Sequence, residues 1–260
     1  MEKIKDLINR KIIESNYVNA LNVAASLKNQ ETFGPIKNCN VGKEVAICGG
    51  GPTLKQYEPI KNAMHVALNR ALLNKKIKYD WFVADDWDGV NFFQEELAAY
   101  DCKKFFGHQI GGPVHRQIPE SYRIKCNALR YYTDSYLVKN GFLSKPVCDI
   151  DKMAVGNMPN IALSALQIIL FTNPSVIYLV GCDASKGHFV QPATLNSERI
   201  AVHEKDLKIA VSSDRVIQKW NELKEFADAY YPETKIISIN PVGLKGIFID
   251  KYQPEFKSIE

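Results

Sequence analysis

The segment Gly49-Gly50-Gly51-Pro52-Thr53-Leu54 follows directly on the apolar run Val45–Cys48. A buried strand, a glycine turn and a helix start bring backbone N–H groups and a positive helix end up to a phosphate. Pro52 suits the first helical turn, where its missing N–H is harmless. The pattern is not the dinucleotide fingerprint with spaced glycines, and it is not a P-loop, because no Gly-Lys-Ser/Thr follows. A tight packing turn without a ligand is the plainer alternative.

The second cluster is acidic. Asp85-Asp86-Trp87-Asp88 closes another apolar run. Adjacent carboxylates repel unless a cation, a basic group or water separates them. Mg²⁺ or Mn²⁺ held by Asp86 and Asp88 on a diphosphate is one reading. Hydrogen bonding to ribose, base or a sugar hydroxyl is another, and a solvated capping turn is the third. Arg70 would face a phosphate or pair with one of these aspartates. Among the five histidines, His188 and His203 are the candidate bases, since imidazole titrates near neutrality. His65 reads as structural. For His108 and His115, in the irregular middle, a surface role is the plainer reading.

These groups must be positioned by regular elements. Short apolar runs at Val45–Cys48, His65–Leu68, Trp81–Ala84, Lys104–Phe106, Ala128–Tyr132, Ser175–Val180 and Lys235–Ile239 read as strands. Helical patterns fall between them. A short helix follows Pro52, and others cover Ala71–Lys76, Asn91–Tyr100 and Asn160–Phe171. Asp214–Tyr230 is amphipathic, with Val216, Ile217, Trp220, Leu223, Phe226 and Ala227 inward. The alternation predicts an α/β, Rossmann-like fold with a mostly parallel sheet and helices on both faces. Residues 1–42 read as an N-terminal helical extension. Residues 43–250 read as the nucleotide-binding domain, with an irregular insert at about 107–155.

In such a sheet, ligands sit beyond the carboxyl ends of the strands. The glycine turn falls there, and so do Asn69 and Arg70, Asp85 and Asp86, Gly181 and Asp183, and Asn240. This convergence points to a nucleotide.

Composition narrows the classes. The chain has 260 residues, 46% hydrophobic and 24% charged, with a net charge of +4. That charge is too mild to argue for nucleic acid. The six cysteines show no Cys-x-x-Cys spacing, so no zinc site is expected. The charged, amphipathic start is unlike a signal peptide, and no apolar run reaches spanning length. We expect a cytoplasmic protein that can touch the inner face of a membrane, with a homo-oligomer contact open through the extension.

Gly49-Gly-Gly-Pro-Thr-Leu54, Ala67-Leu-Asn-Arg-Ala71, Tyr79-Asp-Trp-Phe-Val-Ala-Asp85 and Ile177-Tyr-Leu-Val-Gly-Cys-Asp183 together resemble a superfamily. It includes the bacterial sialyltransferases of lipooligosaccharide synthesis, the hydroxymethylpterin diphosphokinase-like family and the motility-accessory glycosyltransferases of flagellin. The resemblance covers roughly residues 44–90 and 150–245, and the order of its short motifs carries it. It implies a nucleotide-sugar donor, a CMP-linked acid sugar such as sialic acid, and a glycan acceptor in lipopolysaccharide or capsule biosynthesis. Gly49, Gly51, Pro52 and Asn69 match donor contacts, and Gly156 and Asn157 match a nucleotide-touching pair. The family's catalytic histidine has no clear match: Ser212-Ser213 stands nearest, with His203 and His188 as the options. Asp86-Trp-Asp-Gly89 resembles the acidic motif of the diphosphokinase branch, whose reaction would need ATP and Mg²⁺. A metal is therefore optional. A nucleotide-binding subunit without a base is the third alternative.

Overall fold

The computed structural model describes residues 23–110, 114–133, 145–156, 158, 160–184 and 214–257. Eight strands form one sheet: β1 (Glu44–Cys48), β2 (Met64–Leu68), β3 (Trp81–Ala84), β4 (Lys103–Gln109), β5 (Leu129–Thr133), β6 (Val176–Val180), β7 (Lys235–Ile239) and β8 (Ile249–Lys251). Their order is β5-β4-β3-β2-β1-β6-β7-β8. Every pairing is parallel. The expected α/β, Rossmann-like architecture is the one found.

Parallel strands need covering on both faces, so their residues are apolar on both alternating sides. In β1, Val45 and Ile47 join one core while Ala46 and Cys48 join the other. The first core holds α4 (Ile161–Phe171) and α5 (Asp214–Tyr230). Every residue of α4 from Ala162 to Phe171 is buried. Asn160 caps it, accepting from the N–H groups of Ala162 at 3.0 Å and Leu163 at 3.3 Å. In α5, Val216, Trp220, Leu223, Phe226 and Ala227 face inward at helical spacing, as the pattern predicts.

The opposite face is covered by short pieces. The segments after β1 and β2 are five-residue 3₁₀ helices, Pro52–Gln56 and Asn69–Leu73. The expected helix over Asn91–Tyr100 is a 3₁₀ turn, Asn91–Phe93, followed by α2 (Gln94–Ala99). The stretch 107–155 is more regular among its described residues than its composition suggests. It holds the end of β4, α3 (Glu120–Lys125) and β5. A further helix, α1 (residues 23–33), packs onto the sheet edge. Its Phe33 is in the core, and Asn29 donates to the Tyr132 carbonyl at 3.1 Å.

The chain builds outward from β1 to β5, then returns to the other side of β1 through β6. The sheet order therefore reverses between β1 and β6, where an open parallel sheet forms its ligand crevice.

Candidate functional site

The glycine turn after β1 and the turn after β6 meet at this reversal. Gly49 N–H donates to the Val180 carbonyl at 2.7 Å, and Gly51 N–H donates to the Gly181 carbonyl at 2.8 Å. A Cβ on Gly49 would lie 2.5 Å from the Gly181 carbonyl oxygen, and one on Gly51 would overlap the Asp183 carboxylate. Gly181 has φ +60°, a left-handed conformation that suits glycine. Two turns this close leave no room for side chains. The glycines at 49 and 51 are thus required by contact between turns.

Asp183 completes the lock. Its carboxylate accepts from the Thr53 N–H at 2.9 Å and, through a short bond, from the Thr53 hydroxyl. Both residues are buried. Burial pushes the Asp183 carboxyl above its ordinary range, and the two Thr53 bonds pull it back. Leu54 N–H turns back to the Gly51 carbonyl at 3.1 Å. The amides of Gly49, Gly51, Thr53 and Leu54 therefore donate within the chain, and the helix that follows is one short 3₁₀ segment. The expected cradle of bare amides and a helix dipole is not what these four groups form.

Asn69 lies one strand away, at the carboxyl end of β2. Its φ is +46°, which asparagine tolerates better than most residues. Its buried Oδ1 has no hydrogen-bond partner. The turn after β3 presses against it: a Cβ on Gly89 would lie 2.8 Å from the Asn69 amide atoms. A buried acceptor without a donor is uncommon and costs roughly 1–3 kcal/mol. Arg70 beside it is buried, with its guanidinium 5.2 Å from the centre of the Phe92 ring. Desolvation lowers its pKa to about 10, so it stays charged at neutral pH.

The acidic cluster divides. Asp85 accepts a short hydrogen bond from the Tyr131 hydroxyl. Burial pushes its carboxyl up to about 6, opposed by the Tyr131 bond and the nearby Ser164 hydroxyl, and reinforced by Asp86. Ser164 lies beside Asp85 but makes no hydrogen bond of normal geometry, so its Oγ is a second buried polar atom without a partner. Asp86 accepts from the Gly89 N–H at 2.6 Å, which shapes the turn. Asp88 is exposed and pairs with Arg116 at 3.5 Å. Among the described residues no group of three or more His, Cys, Asp or Glu side chains could hold a metal.

Gly156 is buried and donates to Gln167 Oε1 of α4 at 3.3 Å. His188, His203, Asn157 and Ser212-Ser213 lie outside the described residues. His65 is structural: it is buried in β2, with Nε2 3.0 Å from the Tyr57 hydroxyl. His108, in β4, has Nδ1 3.0 Å from an Arg130 nitrogen.

Two participants, Tyr131 and Ser164, escaped the sequence reading as site residues, whereas Asn240 was already read at this edge. Tyr131 and Ser164 enclose Asp85. Asn240, after β7, repeats the Asn69 pattern: φ is +51°, and its buried Nδ2 has no partner. The available signal was an asparagine directly after an apolar strand, which both positions share.

No family model and no curated protein matches the chain by sequence. A MAf glycosyltransferase from Magnetospirillum magneticum AMB-1 matches in structure with a TM-score of 0.54 and 14% identity. The match covers 88% of this chain and 38% of that protein, so this chain spans well under half its length. The sialyltransferase CstII from Campylobacter jejuni, in complex with CMP-3FNeuAc, matches with a TM-score of 0.44 and 12% identity, over 75% of this chain and 80% of that one. At such identities the likeness to the first establishes the fold alone, and the second is too loose to argue from.

Proposed function

We propose that the carboxyl edge around β1, β2 and β6 binds a nucleotide sugar, a CMP-linked acid sugar, and that the chain transfers the sugar to a glycan acceptor. The observation that carries this is Asn69. It holds an unmet buried acceptor at a strand end beside the sheet reversal, and a ligand N–H or hydroxyl would satisfy it. The motif order and the fold shared with a glycosyltransferase support the same reading. Arg70 supplies positive charge near the donor phosphate, and Asp183 holds the glycine turn in shape. The nucleotide phosphate leaves as the acceptor oxygen bonds to the sugar, and a base takes the acceptor proton. His188 and His203 are the proposed bases. A metal at Asp86 and Asp88 is optional, since Asp88 is already paired with Arg116.

The test is a thermal-shift screen against CMP, UDP, GDP and ATP, with and without Mg²⁺, followed by an assay of CMP release from a CMP-linked acid sugar. Selective, metal-independent stabilisation by CMP with measurable release supports the reading. Stabilisation by ATP with Mg²⁺ alone would instead favour phosphoryl transfer.

A further inference from the structure

The net charge of this chain is concentrated. Residues 52–80 hold Lys55, Lys61, Arg70, Lys75, Lys76 and Lys78 against Glu58 and Asp80, a formal +4 that equals the net charge of the whole molecule. The rest of the sequence is balanced. Arg70 is buried, but all five lysines are exposed. They lie on the segments that follow β1 and β2.

Three of them converge. Lys55, Lys75 and Lys76, with Leu73 and Asn74, line a hollow of about 250 Å³. Among the described residues no acidic side chain lines it. Lys76 has Glu58 at 3.6 Å, with both side chains more than half exposed, a pairing of little strength. Lys55 and Lys75 make no ion pair with a described residue. The floor offers no unmet polar group: Asn74 donates to the Leu54 carbonyl at 3.1 Å and accepts from the Lys76 N–H at 3.1 Å. A site built for one small phosphate would present fixed donors at its base. Here recognition falls to mobile ammonium groups around a satisfied floor, which suits a surface of many charges.

We infer that this lysine face docks on an anionic phospholipid bilayer. Polybasic clusters are drawn to such surfaces, and the attraction fades within a Debye length. The inference does not depend on sugar transfer. None of the hollow's lining residues belongs to the candidate site, yet Lys55 lies in the 3₁₀ segment that begins at the glycine turn.

The test is co-sedimentation with vesicles of phosphatidylcholine alone and of phosphatidylcholine mixed with phosphatidylglycerol. Binding to the mixed vesicles alone is expected, with a loss of at least about tenfold between roughly 50 and 500 mM salt. Lys55→Glu/Lys75→Glu/Lys76→Glu should lose binding by a similar factor while keeping the wild-type melting temperature. A control triple variant, Lys152→Glu/Lys235→Glu/Lys245→Glu, should retain most of it, and Lys55→Gln/Lys75→Gln/Lys76→Gln guards against misfolding of the reversal variant. Equal binding to both vesicle types, or retention by both lysine-face variants, overturns the inference. Displacement by millimolar inorganic phosphate at matched ionic strength also overturns it, because the hollow would then be a small-anion pocket.

Discussion

Asn69 and Asp85 are two described residues whose local chemistry is ill at ease. Asn69 combines a left-handed backbone with a buried, unmet oxygen. Asp85 holds a carboxyl whose pKa is raised to about 6 by burial. A carboxyl with a raised folded pKa binds its proton more tightly folded than unfolded. Between about pH 4 and 6 the folded chain keeps a proton that the unfolded chain has released, so this group makes stability fall as pH rises through that window. Asp85→Asn removes that contribution. Urea melts at about pH 4.5, 5.5 and 6.5 should show a flatter stability profile in the variant than in the wild type. Identical profiles would mean that Asp85 titrates normally.

At the scale of elements, the reversal between β1 and β6 is held by turn-to-turn contact. The Gly51 and Thr53 amides, the Gly181 carbonyl and the Asp183 carboxylate join segments 130 residues apart. No local pattern announces such a partnership. The strand-glycine-helix reading located the turn but assigned its glycines to a ligand, because the neighbouring turn is invisible to a window of ten residues. Gly51→Ala should force the two turns apart and destabilise the fold by roughly 1–3 kcal/mol. Asp183→Asn should cost a similar amount, since an amide cannot accept from both Thr53 donors with both of its heavy atoms. Chemical denaturation measures both. A change below about 0.5 kcal/mol in either would show that the lock is slack.

At the scale of the molecule, the architecture was readable because long-range order follows from alternation. β3, β7 and α5 lie where the apolar patterns place them, residue for residue. The short coverings were less legible. Segments of five residues after Pro52 and Asn69 carry helical composition but too few turns to close α-helical bonds, and they settle as 3₁₀. The three-residue edge strand β8 and α3 lack any apolar period long enough to detect. Of the site, its edge of the sheet and Asn69 were legible from strand ends. The enclosure of Asp85 by Tyr131 and Ser164 depends on packing between β3, β5 and α4. The central claim is that this edge receives a nucleotide at Asn69, and calorimetric titration of CMP into wild type and Asn69→Gly tests it most directly. Glycine keeps the left-handed backbone and deletes the unmet oxygen, so the variant should melt no lower than wild type. CMP should bind the wild type and bind the variant roughly tenfold more weakly, the loss of about one good hydrogen bond. No CMP binding to the wild type, or equal affinity in the two proteins, would contradict the account.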